Sequence, residues 1–231
     1  MLPNLGGKLT AAAARKAAEV QRSTFFKLLR VKDVLQPVDP NRKPSDDEVR
    51  AKVGDAADAL ISRHEPSLPD CERAGAHLQM AALALAVQRV LIAESRSEHY
   101  HLQSPAIVRE TVARTVGVLA PAEGDVTSVP INWVPNKLAM FFSLTDSRRR
   151  ATIERMVNNF ENDLGKAFEL SPIDPAPSRR MARCFYADFF EKEGEPELTP
   201  VFQVLHGATF SGVKGFTFRR EADNTCTFTF E

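Results

Sequence analysis

Cysteine is scarce. Cys71, Cys184 and Cys226 are an odd number of thiols, far apart in the chain, with no CxxC pair. That excludes a disulfide-stapled scaffold and a zinc knuckle, and makes a reducing compartment the expectation. An excess of one charge is also missing: 30 Lys+Arg stand against 30 Asp+Glu, with a pI near 7.0. A strongly basic nucleic-acid binder is therefore not announced by the total. The longest apolar run, Met80–Val87, is bounded by Gln79 and Gln88. It falls well short of the ~18 residues of a membrane span, so none is expected. Enzyme signatures are lacking too: no GxSxG, HExxH, GxxxxGK[ST] or GxGxxG occurs. The Ser211–Gly215 stretch carries Gly and Lys but precedes a strand-like segment, the wrong context for a phosphate loop. The five His are scattered. His99 and His101 flank Tyr100, and Glu94, Glu98 and His99 miss the ExxH spacing of carboxylate-bridged metal sites. No catalytic residue, metal or cofactor is expected, and the chain reads as a non-enzyme.

What is present is helical. Hydrophobic residues make up 43% of 231, enough for a real core. Leu9–Val31 reads as an amphipathic helix through Ala17, Val20, Phe25, Leu28 and Leu29. Residues 1–32 hold seven Lys/Arg and only Glu19 as an acid. Such a basic arm on a body that is acidic on balance can pair with a neighbouring copy, with nucleic acid or with a membrane. It also resembles a mitochondrial transit peptide, although retention of the segment is the expectation here. Pro37, Pro40 and Pro44 then forbid helix. Ser45 to Glu48 is a capping box opening a helix to about His64, and Asp70 caps another to about Ser95 whose apolar centre should be the buried core of the molecule. Ser104-Pro105 starts a helix to about Leu119. A loop over 120–135 follows, then a short apolar helix, Asn136–Leu144. Thr145-Asp146 caps a long helix over Ser147–Leu170. After Pro172, Pro175 and Pro177, residues 178–193 read as one further helix. The tail turns strand-like at Val201–Leu205, Gly215–Arg219 and Thr225–Phe230, the last two as a hairpin. The expected fold class is mainly α: a helical-bundle core (45–198), an N-terminal arm (1–44) and a small C-terminal β-hairpin or extended arm (199–231).

Two helices carry the polar residues of interest. Arg148, Arg149 and Arg150 crowd the first turn of the long helix, where cations oppose the helix dipole unless they hold anions. Arg148, Arg155, Asn159, Asn162 and Lys166 share the face opposite Ile153, Met156, Val157, Phe160, Leu164 and Phe168. Guanidinium and amide donors on one face suit phosphates and base edges; the plain alternative is a solvated charged face. In the next helix Asp188 lies among Phe185, Tyr186, Phe189 and Phe190, so its carboxylate needs a cation. Arg155 or the Arg148–Arg150 cluster is the expected partner.

In this order the segments TSVPINW (127–133), RRRATIERMVNNFENDLGKAF (148–168) and RCFYADFF (183–190) resemble the coat proteins of flexible filamentous plant RNA viruses, the potyvirus-, potexvirus- and closterovirus-like group. The similarity covers about 45–191. It implies a non-enzymatic capsid subunit that polymerises into a helical ribonucleoprotein virion in the host cytoplasm. Single-stranded RNA would lie in a groove lined by Ser128, Arg155 (or Arg150 in its place) and Asp188, and residues 1–44 would dock on the next copy, with the C-terminal arm as a second candidate for self-association and no membrane involved. The rival expectations are a helical scaffold in a large cellular assembly, mitochondrial included, and an enzyme whose site is built from dispersed residues.

Overall fold

The computed structural model describes residues 11–39, 41, 46–68, 74–102, 104–118, 146–202, 216–221 and 225–230. Its centre is a long Ala- and Leu-rich helix, α3 (Ala74–Ser95), preceded by α1 (Ala11–Leu28), a strand β1 (Leu35–Pro37) and α2 (Asp46–His64). Every residue from Met80 to Gln88 of α3 is buried. Its alanines let neighbouring helices approach closely, while Leu78, Leu83, Leu85 and Leu91 fill the space between them. Each such leucine contributes about 1.5–3 kcal/mol by leaving water. By length and composition alone α3 could cross a membrane, with a mean hydropathy of 1.5 over 18 residues, but 61% of that stretch is buried inside the protein itself.

α2 lies antiparallel to α3. Lys52, near the start of α2, pairs at 2.8 Å with Glu94 at the end of α3. α2 buries Val49, Val53, Ala57 and Leu60 at helical spacing and turns Asp47, Glu48, Asp55 and Asp58 outward. After α3 come β2 (Tyr100–Leu102) and α4 (Pro105–Val118), whose first turn is held by Ser104 Oγ accepting from the Ala106 amide at 3.3 Å. β2 pairs antiparallel with β1, Leu35 opposite Leu102.

That pairing draws the N-terminal segment into the body. Phe25, Leu29, Val31, Val34 and Leu35 are fully buried in the same core as α3. Arg50 donates to the Leu29 carbonyl at 2.9 Å, and Arg22 grips Asp58, with Nη2–Oδ2 at 2.9 Å. So from Phe25 to Pro37 the chain expected to reach a neighbour is built into its own molecule. Val20, expected on the packed side of that helix, is 53% exposed.

α5 (Asp146–Phe168) leads through Glu169 into a four-stranded antiparallel sheet. Its strands are β3 (Leu170–Pro172), β4 (Arg179–Met181), β5 (Phe216–Arg220) and β6 (Cys226–Phe230), in the spatial order β3-β4-β6-β5. The hairpin expected at the C-terminus is there, and the sheet includes two strands that the sequence reading did not anticipate. Residues 178–193 are not one helix. Arg179–Met181 pairs on both sides as a strand, and α6 begins only at Phe185 and ends at Lys192. Strand pairing with distant β6 overrides helix propensity here. Val201 and Phe202, expected in a strand, are helical instead. The short helix over 136–144, the loop over 120–135 and the caps Ser45 and Asp70 lie outside the described residues.

α6 anchors this half of the molecule. Tyr186, Phe189 and Phe190 are buried, and Phe202 closes on them with ring centroids 4.3 Å from Tyr186 and 5.2 Å from Phe190. The helix ends in a Schellman turn: the Glu195 amide donates to the Phe190 carbonyl at 2.8 Å and the Gly194 amide to Glu191 at 3.0 Å, with Gly194 at φ +75.

Candidate functional site

The arginine-bearing side of α5 is the first element of the site. Thr152, Ile153 and Val157 are buried, whereas Arg148, Arg150, Arg155 and Asn158 are exposed and Arg149 is half-buried. The 3.6-residue period puts the exposed group on one side of the helix. Asn158 joins it, a residue the sequence reading passed over. Arg150 lies 3.5 Å from Glu154 one turn on, and Thr152 Oγ1 donates to the Arg148 carbonyl at 2.8 Å. The backbone of Asn159 belongs to the same helix. Ser128 lies outside the described residues.

Asp188 is a separate matter. It sits in the first turn of α6, where a carboxylate complements the helix dipole. Its partner is Arg183, whose Nε donates to Asp188 Oδ2 and whose Nη1 lies 3.7 Å from Glu169. Arg155 is not the cation that Asp188 needed. α6 meets α5 at its far end, through Phe185 and Tyr186 against Phe168, with centroids 6.4 and 6.1 Å apart. Phe168 is 13 residues beyond Arg155, about 20 Å along a helix. The Arg148–Arg150 cluster is farther still. Expecting two antiparallel helices assumed residues 178–184 to be helical; instead Arg179–Met181 is a strand and 182–184 is irregular chain that carries Arg183 directly beside Asp188. Arg183, Asp188, Glu191 and Lys192 line a shallow cleft of about 320 Å³.

A second polar constellation had no sequence signal, because its members are more than 100 residues apart. The side chain of Glu193, at the C-cap of α6, is only 6% exposed. It accepts from Arg89 Nη1 at 2.8 Å and Arg63 Nη1 at 3.0 Å, and lies 2.7 Å from His64 Nε2. Arg89 Nη2 also donates to the Glu193 backbone carbonyl at 2.6 Å. Burial pushes this carboxyl up, but the bonds from His64, Arg89 and Arg63 outweigh it and hold the group down at about 2. Beside it, buried Gln88 donates through Nε2 to Glu195 at 2.7 Å and to Glu197 at 3.3 Å. Burial, then the neighbouring Glu197, push Glu195 up, while Glu197 is held down first by its own backbone amide. Nearby, His77 Nδ1 and the Tyr186 hydroxyl are 2.6 Å apart, and burial drives the Tyr186 phenol well above its ordinary value. These contacts lock α2, α3 and α6 together, with the Gln88 Oε1 atom buried and without a hydrogen-bond partner among the described residues. Among the described residues, no cluster of three or more His, Cys, Asp or Glu is arranged to hold a metal ion.

No family model matches the chain, and neither a curated protein nor a solved structure matches it.

Proposed function

We propose that this chain is a non-enzymatic RNA-packaging subunit, which associates with copies of itself into a helical filament around single-stranded RNA in the manner of a flexible filamentous virus coat protein. One observation carries the reading: α5 is buried on one side by Thr152, Ile153 and Val157 and turns Arg148, Arg150, Arg155 and Asn158 to solvent on the other. Arginine forks and amide groups on a rigid helix suit phosphates without demanding a base sequence. Zero net charge does not oppose this, because a polymerising subunit neutralises only a few phosphates and gains its affinity by repetition along the strand. Arg148, Arg149, Arg150, Arg155 and Asn159 are the phosphate contacts in this proposal, with Ser128 beside them. Asp188 takes a positioning part, holding Arg183 at the cleft at the other end of α5. Self-association falls to the N-terminal residues before Phe25, where Val20 is exposed. The location that follows is the virion and the host cytoplasm.

The test is electron microscopy of purified protein mixed with nonspecific single-stranded RNA, followed by nuclease digestion. Filaments holding protected RNA are expected from the wild type, and their loss from a folded Arg148→Ala/Arg150→Ala/Arg155→Ala variant. Filaments from that variant equal to the wild type's remove α5 as the contact surface. A discrete complex with cellular proteins, and no filaments, supports a scaffold instead.

A further inference from the structure

Gln88 of α3 is 3% exposed, and the groups it touches come from a short 3-10 helix, Pro196–Leu198, just beyond α6. Its Nε2 donates to Glu195 at 2.7 Å and to Glu197 at 3.3 Å, and its Oε1 is buried without a hydrogen-bond partner among the described residues. Glu195 is the N-cap residue of the 3-10 helix, yet its side chain makes no cap bond and turns to α3 instead. The segment that carries these acids is packed down: Leu198, Thr199 and Phe202 are buried.

This cluster is short of donors. Two carboxylates and Gln88 Oε1 are acceptors, and a single amide nitrogen serves them from α3. A buried acceptor left unmade is costly, so the acids must set the orientation of the amide: turned over, it would aim Oε1 at both of them. The two carboxyl groups also adjoin each other, and like charges at that range oppose one another's ionisation. Cations do not make up the difference. Arg89 of α3 acts on Glu195, but its guanidinium is bonded to Glu193 at the C-cap of α6, where Arg63 and His64 of α2 also converge. Arg109 of α4 acts on Glu197. These are the charged groups around the pair among the described residues. Glu197 is exposed and accepts from its own backbone amide, so it keeps its charge. Glu195 is half-buried beside it and is the one to hold a proton. Protonated, it becomes the donor that the cluster lacks.

We infer that Gln88, Glu195 and Glu197 form a proton-operated latch, in which a proton held by Glu195 keeps the segment from Glu195 to Phe202 seated against α3 and its loss to water at rising pH loosens that segment. The latch is independent of the packaging role proposed above. Its sign is that of a raised carboxyl. Burial and Glu197 push Glu195 above the ordinary 4.5, so its contribution is complete below that value and is lost as pH rises through the folded one. Glu193, held down by its cations, runs the opposite way.

Backbone hydrogen exchange on the whole chain, corrected for intrinsic rates, tests it. Protection of the amides from Glu195 to Phe202 should fall as pH rises above 4.5, by up to about tenfold for each pH unit that the folded value of Glu195 stands above it, while the centre of α3 holds. Glu195→Gln keeps the shape, brings its own donor and cannot titrate. Its segment should stay at the wild type's acid level of protection throughout. Its urea midpoint should match the wild type's near about pH 4 and exceed it at about pH 8. If the Glu195 carboxylate only accepts from Gln88, the substitution lowers the midpoint at about pH 8, and that result overturns the latch. Wild-type protection that is flat with pH, or that falls equally along α3, overturns it too. Should Glu195→Gln not fold, carboxyl-carbon NMR of the wild type decides: Glu195 should titrate above 4.5, with the Gln88 side-chain amide signal moving at the same midpoint. A Glu195 midpoint at or below 4.5 overturns the inference.

Discussion

Replacing Glu193 by Gln removes one charge from the most densely bonded carboxylate described in the molecule and leaves its shape. In the folded protein three partners hold this carboxyl near 2, against an ordinary value of 4.5. Each unit of such a shift corresponds to about 1.4 kcal/mol, so the charged form is favoured by about 3 kcal/mol. That figure is an upper bound. The side chains of Arg63 and Arg89 are 61% and 38% exposed, so water screens part of the attraction and can resolvate both when the charge is gone. About 2 kcal/mol at neutral pH is the working figure, or a fall of roughly 4–8 °C in Tm for a chain of this size. The sign with pH follows from a depressed carboxyl: its stabilisation is complete above the unfolded value and is lost as pH falls through the folded one. The gap between wild type and Glu193→Gln should be constant from pH 7 to about 5 and close steadily towards pH 2. Urea denaturation followed by circular dichroism at several pH values measures it. An equal midpoint at pH 7 would refute the reasoning, and so would a gap that survives undiminished at the acid end, since then charge is not what Glu193 contributes.

Gly194→Ala should cost about 1 kcal/mol, because φ is +75 and a Cβ there meets nothing within 4 Å, so the penalty is conformational alone; a thermal melt unchanged by the substitution would contradict the Schellman turn. Tyr186→Phe should cost about 1–2 kcal/mol by leaving His77 without the hydroxyl 2.6 Å away inside the aromatic cluster, and double-mutant analysis with His77→Phe should show the two losses to be coupled. Arg183→Ala should leave filament formation by α5 intact yet weaken RNA retention, because it removes the cation that Asp188 holds at the cleft; retention at the wild-type level would confine Arg183 to a structural role. Combined loss of Arg148, Arg150 and Arg155 should abolish RNA protection with Tm altered by less than about 2 °C, since all three are exposed.

Much of the helical frame was legible in the chain itself. Met80–Val87 is apolar all round, and only a helix surrounded by protein can hide such a surface, so α3 was placed at the centre from its residues alone. The helix to His64, the Ser104-Pro105 start of α4, the Phe/Thr alternation of β6 and, on α5, buried Ile153, Val157 and Phe168 against exposed Arg148 and Arg155 are local patterns that the structure keeps. Pairing across distance was not legible. Arg179–Met181 carries no alternation of its own and becomes a strand because β3 and β6 flank it. The segment from Phe25 to Pro37 looked detachable after its helix, until β1 found β2 and carried Val31, Val34 and Leu35 into the core. Asp188 announced its need for a cation, but which cation depended on where the chain bent. Likewise Glu193 draws Arg63, His64 and Arg89 from helices more than a hundred residues away. Local periodicity determines which side of an element is apolar, because that depends only on the turn of the backbone. Which elements meet, and therefore which charges face one another, is decided by the packing of the whole molecule.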